Sequence, residues 1–355
     1  MKKKSAFVAL AVAAVVTLAS CGGNSKSFNA TYFAANPSGS EIKTVNETLN
    51  YRVYSFAEKD EKYENDKYLP KIASAASGLK FNVDENTSSY ETTLKTNDDK
   101  SGYIFTSTLI VNGEYTYGDG KTFKVENDKT EIKATFKGID GKFEPVEVEK
   151  TATNVFPSTM SPSKDEDFVK VGYTYKITYG KTAKITFTAA DDEQSKNYFS
   201  AQTDKETEIK NYNKSDFVEN DLLFTVFRNF DYSVGFSYKY STIDGVSKSL
   251  VSATASAYTE NNAATSLKLL TFKKNNAVAL NGRTVTEFNA NGVKFSTNGE
   301  YAKAYAYCYY AASVHTSDET VEDGDNSTRR VPLLIAQPMI HNTGYLVLSL
   351  KNTNF

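Results

Sequence analysis

Apolar and polar residues alternate with a period of two along much of the chain, the pattern of strands with one buried face. The clearest run places Val169, Val171, Tyr173, Tyr175, Ile177 and Tyr179 on one side and Lys170, Gly172, Thr174, Lys176 and Thr178 on the other. Gly180 permits a turn, after which Ala183, Ile185 and Phe187 resume the alternation, so the stretch predicts an antiparallel hairpin with one wet face. The same logic marks 103–117, then 121–125 and 130–137, with Gly118-Asp119-Gly120 and Gly138-Ile139-Asp140-Gly141 as turns. Val146 and Val148 open a strand towards Phe156. Later, Tyr232, Val234, Phe236, Tyr238 and Tyr240 alternate with small or polar residues, and Asp244-Gly245 turns the chain into 246–258. Further strands are expected over 267–273, 283–288, 293–296, 301–311, 331–336 and 345–350.

Helical spacing is rare. Over 216–230, capped by Ser215, residues Phe217, Val218, Leu222, Leu223, Val226, Phe227 and Phe230 form a wide apolar stripe, which predicts one helix packed on the sheet. A short second helix is expected over 70–77, with Pro70 in its first turn and Gly78 after its end. Residues 157–167, with two prolines and an acidic run, read as a linker or long loop, and 313–327 as a polar acidic loop. The expected fold is mainly β: a large twisted antiparallel sheet or half-barrel with one or two short helices packed against it. The alternative is two β-sandwich domains, divided near 157–167.

The N-terminus follows another pattern. Lys2, Lys3 and Lys4 precede a run from Ala6 to Leu18 that is apolar except for Thr17. That run is shorter than the roughly 20 residues a membrane-spanning helix needs, and it fits an export signal. Its last positions, Leu18-Ala19-Ser20-Cys21, resemble the lipobox of bacterial lipoproteins. The resemblance implies cleavage before Cys21 and a diacylglycerol on its sulfur. Residues 1–20 are thus expected to be a signal peptide, 21–40 the lipidated cysteine and a flexible tether, and 41–355 a β-rich domain. Two acyl chains hold a protein stably, so the mature chain is expected on the outer face of a membrane without spanning it. Gly22 is not Asp, so in a Gram-negative host the resemblance would place it on the outer membrane.

Composition narrows the function. Removing the three lysines of residues 1–20 takes the formal charge from −2 to −5, and no basic cluster is present for nucleic acid. There are 24 Tyr and 22 Phe but no Trp, an aromatic content that suits strands. Of two cysteines, Cys21 goes to lipid, so Cys308 has no disulfide partner. His315 and His341 are the only histidines, and neither sits in a Ser-His-Asp, Cys-His or zinc-ligand pattern. Cys308, in Tyr305-Ala306-Tyr307-Cys308-Tyr309-Tyr310, lacks a basic neighbour and reads as a buried hydrophobe. The acidic run Glu319, Glu322, Asp323 and Asp325 lacks the spacing of a Ca²⁺ loop. No catalytic, metal or cofactor site is assigned.

Long antiparallel strands around one or two helices, behind a lipobox, resemble the half-barrel of bacterial lipoprotein carriers. The stretch Arg330-Val331-Pro332-Leu333-Leu334 with Gly344-Tyr345-Leu346-Val347-Leu348 is similar to the ending of uncharacterised lipoproteins from low-GC Gram-positive bacteria. The expected anchor, the aromatic inner faces and the lack of a catalytic pattern lead to the expectation of a non-enzymatic surface lipoprotein whose curved sheet binds a lipid or other amphiphile. The alternative is an adhesion or envelope-assembly module that meets cell wall or a partner protein. Oligomeric state is not legible.

Overall fold

A computed structural model describes residues 46–57, 62–70, 78–139, 142–202, 206–212, 217–228, 237–258, 270–280, 283–296, 305–311 and 331–354. The expected signal peptide and tether, Cys21, all but Pro70 of the helix expected over 70–77, His315 and the acidic run of 319–325 lie outside these residues.

The strands are β1 (Asn46–Phe56), β2 (Lys80–Val83), β3 (Ser89–Thr96), β4 (Gly102–Tyr117), β5 (Lys121–Ile139), β6 (Lys142–Pro157), β7 (Phe168–Tyr179) and β8 (Ala183–Ala189). They continue as β9 (Thr207–Ile209), β10 (Ser237–Asp244), β11 (Ser249–Tyr258), β12 (Leu270–Leu280), β13 (Arg283–Ser296), β14 (Tyr305–Ala311), β15 (Pro332–Pro338) and β16 (Tyr345–Thr353). All belong to one 16-stranded sheet, and every strand pairing in it is antiparallel. Its main path runs β10-β11-β13-β14-β15-β16-β1-β3-β4-β5-β6-β7-β8-β9, with β12 beside β13 and β2 beside β4. The expected antiparallel sheet is therefore present. The 157–167 segment joins β6 to β7, which are neighbours in that sheet.

The middle of the sheet is its driest part. On β14 the residues from Ala306 to Ala311 are all buried, and so are Pro332 to Ala336 of β15. A continuous apolar run is what a strand covered on both faces requires. On one side the Tyr309 hydroxyl donates to the Tyr68 carbonyl in the turn Glu64–Tyr68. On the other the Tyr310 hydroxyl donates to the Phe224 carbonyl at 2.8 Å. Adjacent tyrosines thus anchor the two coverings of one strand.

The sheet curls until its ends share a core. Ile243 of β10 packs in one apolar cluster with Val171, Tyr175 and Ile177 of β7 and Ile185 and Phe187 of β8. β10 and β9, the two ends of the path, do not pair, so the sheet is not a closed barrel. Residues 217–228 bridge the gap: Phe217 pairs with Ser241 in a parallel bridge, and the Val218 amide donates to the Ser241 carbonyl at 2.8 Å.

That bridge corrects the predicted helix. Instead of one helix over 216–230, the described part holds a 3-10 turn at Asn220–Leu222 and a five-residue helix, α2 (Leu223–Phe227). Phe217 and Val218 are apolar because they lie on the sheet edge, not because they continue a helix stripe. Pairing with an open edge outweighs helix propensity, which is weak per residue. Leu222, Val226 and Phe227 still face the core, and full burial of Phe227 contributes about 1.5–3 kcal/mol. α1 (Glu193–Tyr198) was not expected; Asp192 caps it by accepting from the Ser195 amide at 2.7 Å.

Candidate functional site

The face of the sheet covered by residues 217–228 holds charge where apolar side chains would be expected. Glu47 stands on the buried side of β1 in line with Leu49, Tyr51 and Val53. Lys150 stands on β6 in line with the buried Val148 and Ala152. Each meets a charged residue of the covering segment. Arg228 donates to Glu47 Oε1 at 2.6 Å and to Oε2 at 2.8 Å, a bidentate pair. Lys150 Nζ lies 2.9 Å from Asp221 Oδ1, with side chains 19 % and 4 % exposed.

Tyrosines join the two pairs. Lys150 is the direct cross-strand partner of Tyr175, lies 5.8 Å from its ring centre, and Tyr175 donates its hydroxyl to Asp221 Oδ2. Tyr51 and Tyr90 are cross-strand partners with ring centres 5.3 Å apart. Burial raises the Tyr90 phenol, and the charges of Asp221 and Lys150 as well as Cys308 act on it. Burial likewise raises Tyr51, on which Tyr90, Cys308, Arg228 and Glu47 all act. One polar seam therefore crosses the interior from β7 to β14.

Glu219 is the anomaly in this seam. It is 2 % exposed, its Oε2 has no hydrogen-bond partner, and Tyr179 Oη is 3.5 Å from Oε1. Burial, then the charge of Asp221, pushes its carboxyl well above the ordinary range, against the opposing pull of Lys150. Burial thus favours the protonated form of Glu219. Burial works against the Lys150 ammonium, but the charge of Asp221, followed by Tyr173 and the hydrogen bond to Asp221, outweighs it and raises Lys150. The arrangement offers an amine in contact with a carboxyl carbon's oxygen, next to a second carboxyl that can give and take a proton.

A second feature lies on the surface. An open cleft of about 680 Å³ is lined by Asn82, Asp84, Thr87, Asn112, Glu114 and Lys124, among others. Asn112 builds its floor at a bulge where the β4–β5 register shifts between Val111 and Gly113. Its Oδ1 accepts from the Asn127 amide at 2.7 Å, and its Nδ2 donates to the Thr87 carbonyl at 2.8 Å. Asn127 takes φ +56°, a conformation Asn tolerates better than most residues. Asp84 is held below the usual carboxylate range by the Thr87 hydroxyl and the Asn86 amide.

The residues singled out from sequence fall elsewhere. Cys308 is a buried free thiol in β14, pushed up by burial, against the smaller opposing effects of Tyr310 and Arg228. His341 sits in the turn Ile340–Asn342 at φ +55°, with Nε2 3.1 Å from the Pro157 carbonyl. It ties that turn to the end of β6. The tyrosine stripe of β7 supplies Tyr173, Tyr175 and Tyr179 to the seam. Glu47, Lys150, Glu219, Asp221 and Arg228 were not anticipated; the available signal was a charged residue in the apolar register of β1 and of β6. Among the described residues, no group of three His, Cys, Asp or Glu side chains is placed to hold a metal. No helix among them is long and apolar enough to cross a membrane.

No protein family, curated protein or solved structure matches the chain.

Proposed function

We propose that the protein is an exported, non-enzymatic surface lipoprotein, held by lipid on Cys21, that binds a polar envelope ligand as an adhesion or assembly module. The observation that carries the binding reading is the 680 Å³ cleft, whose size suits a small ligand and whose lining is rich in amide, carboxylate and hydroxyl groups. Such groups recognise hydroxyl-bearing ligands, and glycan strands of a cell wall are of that class. The cleft floor is pre-set by hydrogen bonds of Asn112, which lowers the ordering cost of binding.

A second reading keeps the amphiphile expected from the aromatic faces. Its support is the conjunction of aromatic side chains and a charged seam on one face of the curled sheet, which would suit an apolar body and a polar head. Those aromatic faces are also the protein's own core, so this reading takes second place.

Native mass spectrometry of the chain purified from a bacterial host separates the two, followed by extraction of bound molecules. A stoichiometric lipid favours the amphiphile. A clean apo mass, together with pull-down on purified cell wall that Asn112→Ala abolishes, supports the adhesion reading. Loss of neither mass nor wall binding in that variant would sink the cleft as the site.

A further inference from the structure

We propose that Lys150 and Asp221 become joined by an intramolecular isopeptide bond, formed after folding, that covalently fastens the covering segment to β6. The reactants are already in contact: Nζ of Lys150 is 2.9 Å from Asp221 Oδ1, across 71 residues of sequence. The contact is enclosed, with Asp221 4 % exposed, so water competes little with the amine. Holding two groups in reacting geometry turns a bimolecular condensation into a unimolecular one, which supplies much of the barrier reduction.

The atoms balance without any added reagent. An ammonium proton passes to the Asp221 carboxyl group, leaving a neutral amine and a neutral acid. The ion pair is the resting state, and proton transfer across the 2.9 Å contact forms the neutral pair only transiently, as the reactive state. The Nζ lone pair attacks Cγ, forming the new C–N bond. Glu219 gives its proton to the departing Cγ oxygen and recovers one from the nitrogen, and the Cγ–O bond breaks with release of one water. Tyr175, donating to Asp221 Oδ2, polarises the carboxyl and steadies the oxyanion of the tetrahedral intermediate.

Glu219 fits the proton-transfer role for an independent structural reason. It lies on the same segment two positions from Asp221, is buried, and keeps one carboxyl oxygen with no hydrogen-bond partner. An unsatisfied buried oxygen is costly and calls for an explanation. The groups around it are Asp221 on its own segment, Lys150 on β6 and Tyr175 and Tyr179 on β7. All belong to the reaction centre described here. A covalent strap would also suit an exported chain in which Cys308, the one cysteine among the described residues, has no disulfide partner.

The test is peptide mapping by mass spectrometry of the full-length chain purified from cells, denatured and digested with trypsin. The expected result is a branched peptide in which Lys150 resists cleavage and is linked to Asp221, lighter by one water than its two parts. Lys150→Arg should restore two linear peptides, and Glu219→Gln should leave most of the chain unlinked. Two unmodified linear peptides from wild-type protein that is folded by circular dichroism overturn the proposal and leave an ordinary ion pair. Loss of water mapped to a succinimide at Asp221 overturns it equally. Because the wild-type map decides the question, misfolding of a variant does not.

Discussion

Arg228 and Glu47, 181 residues apart in sequence, are joined by two hydrogen bonds of 2.6 and 2.8 Å in the core. The pair fixes the end of the covering segment to the first strand. Both side chains are nearly out of water, at 3 % and 4 % exposure. Removing one partner strands a buried charge, so Glu47→Ala or Arg228→Ala should each cost about 3–5 kcal/mol. Replacing both, as Glu47→Leu with Arg228→Met, should cost less than either single change. Urea unfolding midpoints measure all three; a double variant as damaged as the sum of the singles would refute the account.

The curl of the sheet is tested at Gly245. The turn between β10 and β11 places this glycine against the Tyr175 ring of β7, where an added Cβ would lie 2.6 Å from ring carbons. Tyr175 is packed and engaged with Asp221, so it has little room to yield. Gly245→Ala should therefore destabilise the protein by about 1–3 kcal/mol, the cost of overpacking. An unchanged melting temperature would mean that the two ends of the sheet do not meet.

Cys308 should be silent towards thiol reagents in the native state. It is fully buried, and burial raises the thiol, so the reactive thiolate is scarce. Labelling at Cys308, located by peptide mapping, should track global unfolding as denaturant is added. Rapid native labelling would show that β14 is accessible from solvent.

The period-two signal carried most of the fold. The expected strand over 169–179 corresponds to β7, and 103–117 to β4. The two strands expected over 121–125 and 130–137 are one 19-residue strand, in which Asn127 is absorbed at a bulge. Of the helix expected over 216–230, the described residues keep a helical stretch only at 220–227, since the sheet edge at Ser241 recruits Phe217 and Val218. The seam was half legible. A lysine in register with Val148 and Ala152, and a glutamate in register with Leu49 and Tyr51, break the burial pattern locally. Their partners lie 71 and 181 residues away, and only the order of strands brings them together.

Glu219 predicts the pH dependence of stability. Its carboxyl is raised in the folded protein by burial and by Asp221, relative to about 4.3 when unfolded. Between those two values the folded state binds the extra proton, so its contribution to stability is greatest at low pH and declines as pH rises. The decline begins near the ordinary Glu range and ends once pH passes the raised folded value. Glu219→Gln has no proton to lose, so it should remove this slope while leaving the contributions of other carboxylates in place. Urea unfolding of both proteins at a series of pH values measures the difference directly. The variant should gain on wild type steadily with rising pH; parallel curves would mean that Glu219 is ionised in the folded protein, and that its unpaired oxygen is solvated.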